Sequence, residues 1–190
     1  MLRVLLVRPG ATEFDMQRRI QGNLDLPLSE EGWNQAERAA RELAEEPIDH
    51  VYAAPCSSSQ ETAGLLARDR RIRITALETL RNLDYGLWHG KLIDDVKRQQ
   101  PRVFRLWQES PQAVCPPEGE TWTHARERVS RALQRVRRRH RDGVVALVVS
   151  EPIATVIRSL LGRDPSSDFL KADEQCGRWE WIDLRTAEAV

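Results

Sequence analysis

Short apolar runs that stop abruptly at proline, each followed by a longer stretch with helical spacing, restrict the fold of this chain more than any other feature. Residues 2–7 are apolar and β-branched with charge at their edges, as suits a strand buried on both faces. They stop at Arg8-Pro9-Gly10, where proline has no N–H for a ladder and glycine permits a turn. Residues 48–54 form a second run, ended by Pro55, and residues 72–77 alternate as a third. Residues 144–149 are the most continuous run and end at Ser150-Glu151-Pro152.

Helical stretches are expected between these strands. Ser29 followed by Glu30 and Glu31 is an N-cap signal for a helix over 29–46, closed by Pro47. Thr62, Leu65 and Leu66 share a face within 57–68. Val96, Val103, Phe104 and Trp107 are placed toward the core of a helix over 91–109, and Val129, Leu133 and Val136 on one face of 123–141. A last helix is read over 153–161, with Gly162 just past its end. Residues 11–27, 82–90 and 110–121 read as loops, and 178–184 as an alternating edge strand. Strands interleaved with helices predict an α/β fold: a three-layer α/β/α sandwich with a mostly parallel central sheet, in a single domain over 1–190. In such sheets ligands bind beyond the carboxyl ends of the strands, so Arg8-Pro9-Gly10, Ala54-Pro55-Cys56 and Ser150-Glu151-Pro152 are expected at one rim.

Lys+Arg and Asp+Glu both number 29, which leaves no net field to attract nucleic acid or anionic lipid. The run Arg135-Val136-Arg137-Arg138-Arg139-His140-Arg141 is read as a solvated helix end, with cations at the favourable terminus, and not as a nucleic-acid patch. Cys56, Cys115 and Cys176 are odd in number and lack metal-ligand spacing, so reduced thiols and a cytoplasmic location are expected. No apolar stretch approaches a membrane span. Trp179 and Trp181 fall on one face of the edge strand and make a strand-mediated homodimer conceivable.

Val4-Leu5-Leu6-Val7-Arg8-Pro9-Gly10-Ala11-Thr12-Glu13-Phe14 resembles the opening of the histidine phosphatase superfamily, which includes the cofactor-dependent phosphoglycerate mutases. There the strand ends in Arg-His-Gly. The likeness continues in order through Arg19-Ile20-Gln21-Gly22, Leu26-Pro27-Leu28-Ser29-Glu30-Glu31-Gly32, Asp84-Tyr85-Gly86-Leu87-Trp88-His89-Gly90, Pro117-Glu118-Gly119-Glu120-Thr121 and Val148-Val149-Ser150. The resemblance implies a phosphoglycerate mutase-like fold and phosphoryl transfer without metal, and no cofactor is expected for this chain. One histidine carries the phosphoryl group, arginines and a second histidine hold its oxygens, and a carboxylic acid protonates the leaving oxygen.

Carried over residue by residue, the nucleophile position is Pro9, the second histidine is Glu151, the second arginine is Ser58 and the proton donor is Asn82. The loop asparagine has become Asp15, and Arg8 alone remains of the central group. A one-residue slip brings His89, Glu78 or Arg68 within reach, but the residues flanking Pro9 and Glu151 hold the register there. The resulting expectation is an inactive pseudoenzyme with Arg8, Pro9, Ser58, Asn82 and Glu151 as vestigial positions, serving an unidentified protein partner or small ligand. Arg8 is expected to pair with Glu151, and Arg8, Arg19 and Arg81 are the candidate ligand contacts. Asp15, Glu120 and Glu151 are read as ion-pair partners and not as a metal site. The alternatives are a small-molecule sensor, or an enzyme using the same pocket without histidine: a weak phosphatase with an unidentified nucleophile, or a hydrolase with Glu151 as general base.

Overall fold

The structure, a computed structural model, describes residues 1–162 and 175–182. Its sheet has the order β3-β2-β4-β1-β5, from β1 (Leu2–Val7), β2 (Ile48–Ala53), β3 (Arg73–Ala76), β4 (Gly143–Val148) and β5 (Trp179–Ile182). The β1–β4, β4–β2 and β2–β3 pairs are parallel, and β5 closes one edge antiparallel to β1. The helices are α1 (Glu13–Met16), α2 (Glu30–Glu42), α3 (Ser57–Ala67), α4 (Ile93–Gln99), α5 (Pro101–Glu109), α6 (Trp122–Arg139) and α7 (Glu151–Leu160). The expected α/β architecture with a mostly parallel sheet is present.

Why β1 and β4 are apolar at nearly every position is visible in how they are covered. Val4, Leu6, Val145 and Leu147 pack with α6 and α7 through Ala125, Val129, Ile153 and Ile157. Leu5, Val7, Val144, Ala146 and Val148 face the other way, against Leu43 and the α3 residues Ala63 and Leu66. Successive side chains point to opposite faces, so a strand covered twice has no polar side.

Several expected boundaries shift for local reasons. The helix over 91–109 is two, because Gln100 precedes Pro101 and is driven out of the helical region to φ −134°, ψ 61°. Phe104 and Trp107 on α5 are buried, but Val103 is exposed, which corrects its placement in the core; it sits one residue off that face. The last helix begins at Glu151, since proline in the first turn loses no intrahelical bond. The loop over 11–27 contains the single turn α1, closed by a capping box in which Thr12 N–H donates to Asp15 Oδ2 at 2.7 Å. Helix α2 ends at Glu42, five residues before Pro47. Trp179 and Trp181 lie half-buried against the α2–α3 side; Arg3 covers Trp181, and Trp179 Nε1 donates to Glu42 at 2.8 Å. Residues 183–184 of the expected edge strand lie outside the described residues. Among the described residues no helix is long and apolar enough to cross a membrane.

Candidate active site

The carboxyl ends of β1, β2 and β4 open into one cavity of about 360 Å³, lined by Arg8, Pro9 and Gly10, by Pro55 and Cys56, and by Ser150, Glu151 and Pro152. The rim expected from the strand ends is therefore assembled as read. The ladder carries one step past the strands: Val149 N–H donates to Val7 O and Ala54 N–H to Val148 O. Gly10 is needed here because the rim loop touches the start of α2. A Cβ at this position would stand 2.0 Å from the Gly32 carbonyl oxygen.

Four side chains form a closed ring of alternating charge, and two of them, Arg8 and Glu151, line the cavity. Arg8 Nε lies 3.4 Å from Glu151 Oε2, and Arg8 Nη1 donates to Glu180 Oε1 at 2.8 Å. Arg158 donates from Nη1 to the same Glu180 oxygen at 2.8 Å and from Nη2 to Glu151 Oε1. Thr155 Oγ1 adds a bond to Glu151 Oε1 at 3.0 Å. The expected Arg8–Glu151 pair is present, and it ties Arg8 to acids on two sides instead of leaving it as a free anion hook. Arg8 Nε, Glu151 Oε2 and Ser150 Oγ are buried and have no hydrogen-bond partner. Burial pushes the Glu151 carboxyl above its ordinary value of 4.5, against the pull of Arg158 and Arg8. Burial acts on Glu180 in the same sense, but Arg8 and Arg158 together bring it below 4.5.

The other carried-over positions also line the cavity. Ser58 is buried in the first turn of α3. Asn82 donates from Nδ2 to Gly22 O at 2.8 Å, tying two walls together. Arg19 donates to Gly90 O at 2.7 Å, and Arg81 lies 3.6 Å from Glu120 and 3.9 Å from Glu78, so both candidate ligand contacts have protein partners. Arg18 joins them in the lining, held with φ 56°. Among the described residues no histidine lines the cavity, and His89 instead accepts the Tyr85 N–H at 3.1 Å. Arg68 pairs with Glu37 away from it.

Asp15, Glu120 and Glu151 do not converge. Asp15 serves α1, Glu120 takes both forks of Arg128 at 2.7 Å, and Glu151 belongs to the ring. Among the described residues no group of three or more His, Cys, Asp or Glu could hold a metal. Arg158, Glu180 and Arg128 are not among the residues that the sequence motifs single out. Arg158 carries a signal, two helical turns after Glu151 on the same face. Glu180 carries none, since only the pairing of β5 with β1 sets it opposite Leu6.

Phosphoserine phosphatase 1 of Hydrogenobacter thermophilus is 34% identical over 167 residues, covering 87% of this chain and 79% of that protein. The structure of Bacillus stearothermophilus YhfR is similar at a TM-score of 0.80 and 26% identity, over 89% of this chain and 84% of that one. A mycobacterial glucosyl-3-phosphoglycerate phosphatase in complex with VO3 shares the fold at a TM-score of 0.84 and 22% identity, over 95% and 92% of the two chains. A relative 34% identical and named as a phosphatase overturns the expectation of an inactive pseudoenzyme drawn from Pro9 and Glu151: it points to an enzyme. That expectation equated the loss of one kind of nucleophile with the loss of catalysis. The family model for the histidine phosphatase superfamily (branch 1) matches residues 4–176, and this chain belongs to that family.

Proposed function

We propose that this chain is a phosphomonoester hydrolase that works in the rim cavity without a phosphohistidine, using water as the nucleophile and Glu151 as its general base. The observation that carries the reading is Glu151 Oε2: a buried carboxylate oxygen with no hydrogen-bond donor, on a residue that lines the cavity, 3.4 Å from Arg8 Nε. An acceptor left open in a buried site can take the proton of a bound water, and the raised Glu151 pKa makes it a better base than an ordinary glutamate.

The phosphoryl group is held by charge. Arg18, Arg19 and Arg81 line the cavity, and α7 points its positive end there, with an N-cap, Ser150, that makes no side-chain bond to the helix. Pro9 offers no side-chain nucleophile at the end of β1, so the attacking atom is the oxygen of water. Its proton passes to Glu151 Oε2, the bond from phosphorus to the ester oxygen breaks with its electron pair going to that oxygen, the oxygen takes a proton from solvent, and inorganic phosphate and the alcohol leave. The likeness to proteins named as phosphatases supports this reaction class.

Phosphate release from a panel of phosphomonoesters by the purified full chain tests the reading. Turnover is expected without any acid-labile phosphate on the protein, and Glu151→Gln is expected to slow it by about 10²–10⁴-fold, the usual contribution of a general base. Full activity in Glu151→Gln, or a phosphorylated protein intermediate, would overturn it.

A further inference from the structure

The charged ring holds one carboxylate that the reaction above does not use, Glu180, and strand register sets its place there. β5 pairs with β1 so that Glu180 stands opposite Leu6 and Trp179 opposite Val7. The ladder runs on through Arg8 N–H to Arg178 O at 2.8 Å and Gly177 N–H to Pro9 O at 3.0 Å. Alternation along both strands sorts the side chains. Trp179 and Trp181 pack on the α2–α3 side with Val7, whereas Ile182 packs on the α7 side with Leu6. Glu180 shares the face of Ile182, and Arg8 the face of Leu6, so the two charges meet on the side that α7 covers. A slip of one residue would carry Glu180 to the tryptophan side, away from Arg8.

From this position a single oxygen, Glu180 Oε1, accepts from two guanidinium groups, Arg8 Nη1 and Arg158 Nη1, each at 2.8 Å. A guanidinium is a planar, rigid fork, so anchoring one nitrogen limits where the others point. Arg158 turns Nη2 to Glu151 Oε1, and Arg8 keeps Nε 3.4 Å from Glu151 Oε2 without a hydrogen bond to it. Among the described residues the charges facing Glu151 are Arg8 at the end of β1, Arg158 on its own helix and, beyond them on β5, Glu180. Two cations and two carboxylates balance. With Glu180 neutral, both arginines answer to Glu151 alone: Arg8 is free to close on Oε2, and the unbalanced positive charge makes Glu151 a weaker base.

We propose that Glu180 is a positioning residue for the hydrolysis, one that draws both arginines toward β5 and so keeps Glu151 Oε2 open to the attacking water. This inference rests on the phosphatase reading above. Glu180 acts through Arg8 and Arg158, and the proton of the water still passes to Glu151.

Glu180→Gln keeps the shape and removes the charge, and Glu180→Asp keeps the charge. Two readouts of each full-length variant are set beside wild type: the pH dependence of kcat/KM on nitrophenyl phosphate, and the carboxyl NMR titration of Glu151, assigned by its loss in Glu151→Gln. In Glu180→Gln the Glu151 titration is expected at least about one pH unit lower, the acid limb of kcat/KM is expected to follow it, and kcat on the plateau to fall about 10–10²-fold. Glu180→Asp is expected to bring the titration back toward its wild-type position, with kcat between the other two. An unmoved Glu151 titration in Glu180→Gln, or the same shift in Glu180→Asp, overturns this inference and leaves the phosphatase reading standing. A shifted titration with an unmoved acid limb, or no phosphate released by wild type from any ester, overturns both.

Discussion

Arg8 Nε and Glu151 Oε2 face each other 3.4 Å apart at the ends of neighbouring strands, both buried and neither engaged in a hydrogen bond. Their other atoms are bound to Glu180, Arg158 and Thr155, so the ring fixes where the two unbonded atoms stand. If Glu151 accepts a proton during turnover, the rate must fall as pH drops through its folded pKa. Burial sets that value above 4.5. The acid limb of kcat/KM is therefore expected above the ordinary glutamate range. Arg158→Met removes the larger of the two attractions opposing burial and is expected to move this limb to still higher pH. A pH–rate profile of both proteins checks it.

Arg128 of α6 is buried and gathers the segment that carries Arg81 and Asn82. It donates to the carbonyls of Thr79, Arg81 and Asn82 and bidentately to Glu120. Arg128→Met leaves Glu120 without its bidentate partner and three carbonyls without that donor. The expected cost is about 3–5 kcal/mol, the range for breaking a buried pair from one side. Urea unfolding measures it. A loss under about 1 kcal/mol would mean the segment is held by other contacts.

His50 gives the fold a pH dependence of defined sign. It lies on β2, stacked on Tyr52 at 4.3 Å between ring centroids, with Nε2 against Thr75 Oγ1 at 2.9 Å. Burial first, then the charges of His140, Arg139 and Arg73, lowers its pKa from 6.5 to about 4. Between those values the unfolded chain holds the proton and the folded chain does not, so stability rises with pH across the window. Its share is complete above pH 6.5 and is lost as pH falls to and through about 4. Chemical unfolding followed from neutral pH to pH 4.5 is expected to show this loss, and His50→Gln to flatten it.

Gly10 fills a place that no larger residue can take without displacing backbone. Its Cβ would meet the Gly32 carbonyl at 2.0 Å, and its N–H reaches Thr62 Oγ1 at 3.2 Å. Gly10→Ala is expected to cost about 1–3 kcal/mol through overpacking and to disturb the loop next to Arg8. Thermal unfolding together with activity on one phosphomonoester checks both effects.

Val103→Lys supplies the opposite case. The residue is exposed on α5, so the change is expected to stay within about 0.5 kcal/mol of wild type by urea unfolding. Helical spacing over 91–109 places Val103 inside. The break at Gln100–Pro101 turns α5 so that Phe104 and Trp107 face the core and Val103 does not.

Local chemistry made most of the architecture readable in advance. Doubly buried strands must be apolar throughout, proline must end them, and Ser29 must cap α2, where its hydroxyl accepts the Gly32 N–H at 3.0 Å. The order of motifs along the chain likewise announced the family. The state of the charged ring was not readable, because it depends on partners distant in sequence. Glu180 lies 172 residues from the Arg8 guanidinium it binds. Nothing near Glu151 announces that one of its oxygens would be bonded and the other left open. A residue's type is settled by the chain alone, but its protonation, its partners and its unused lone pairs follow from desolvation and from charges that only the folded sheet brings together.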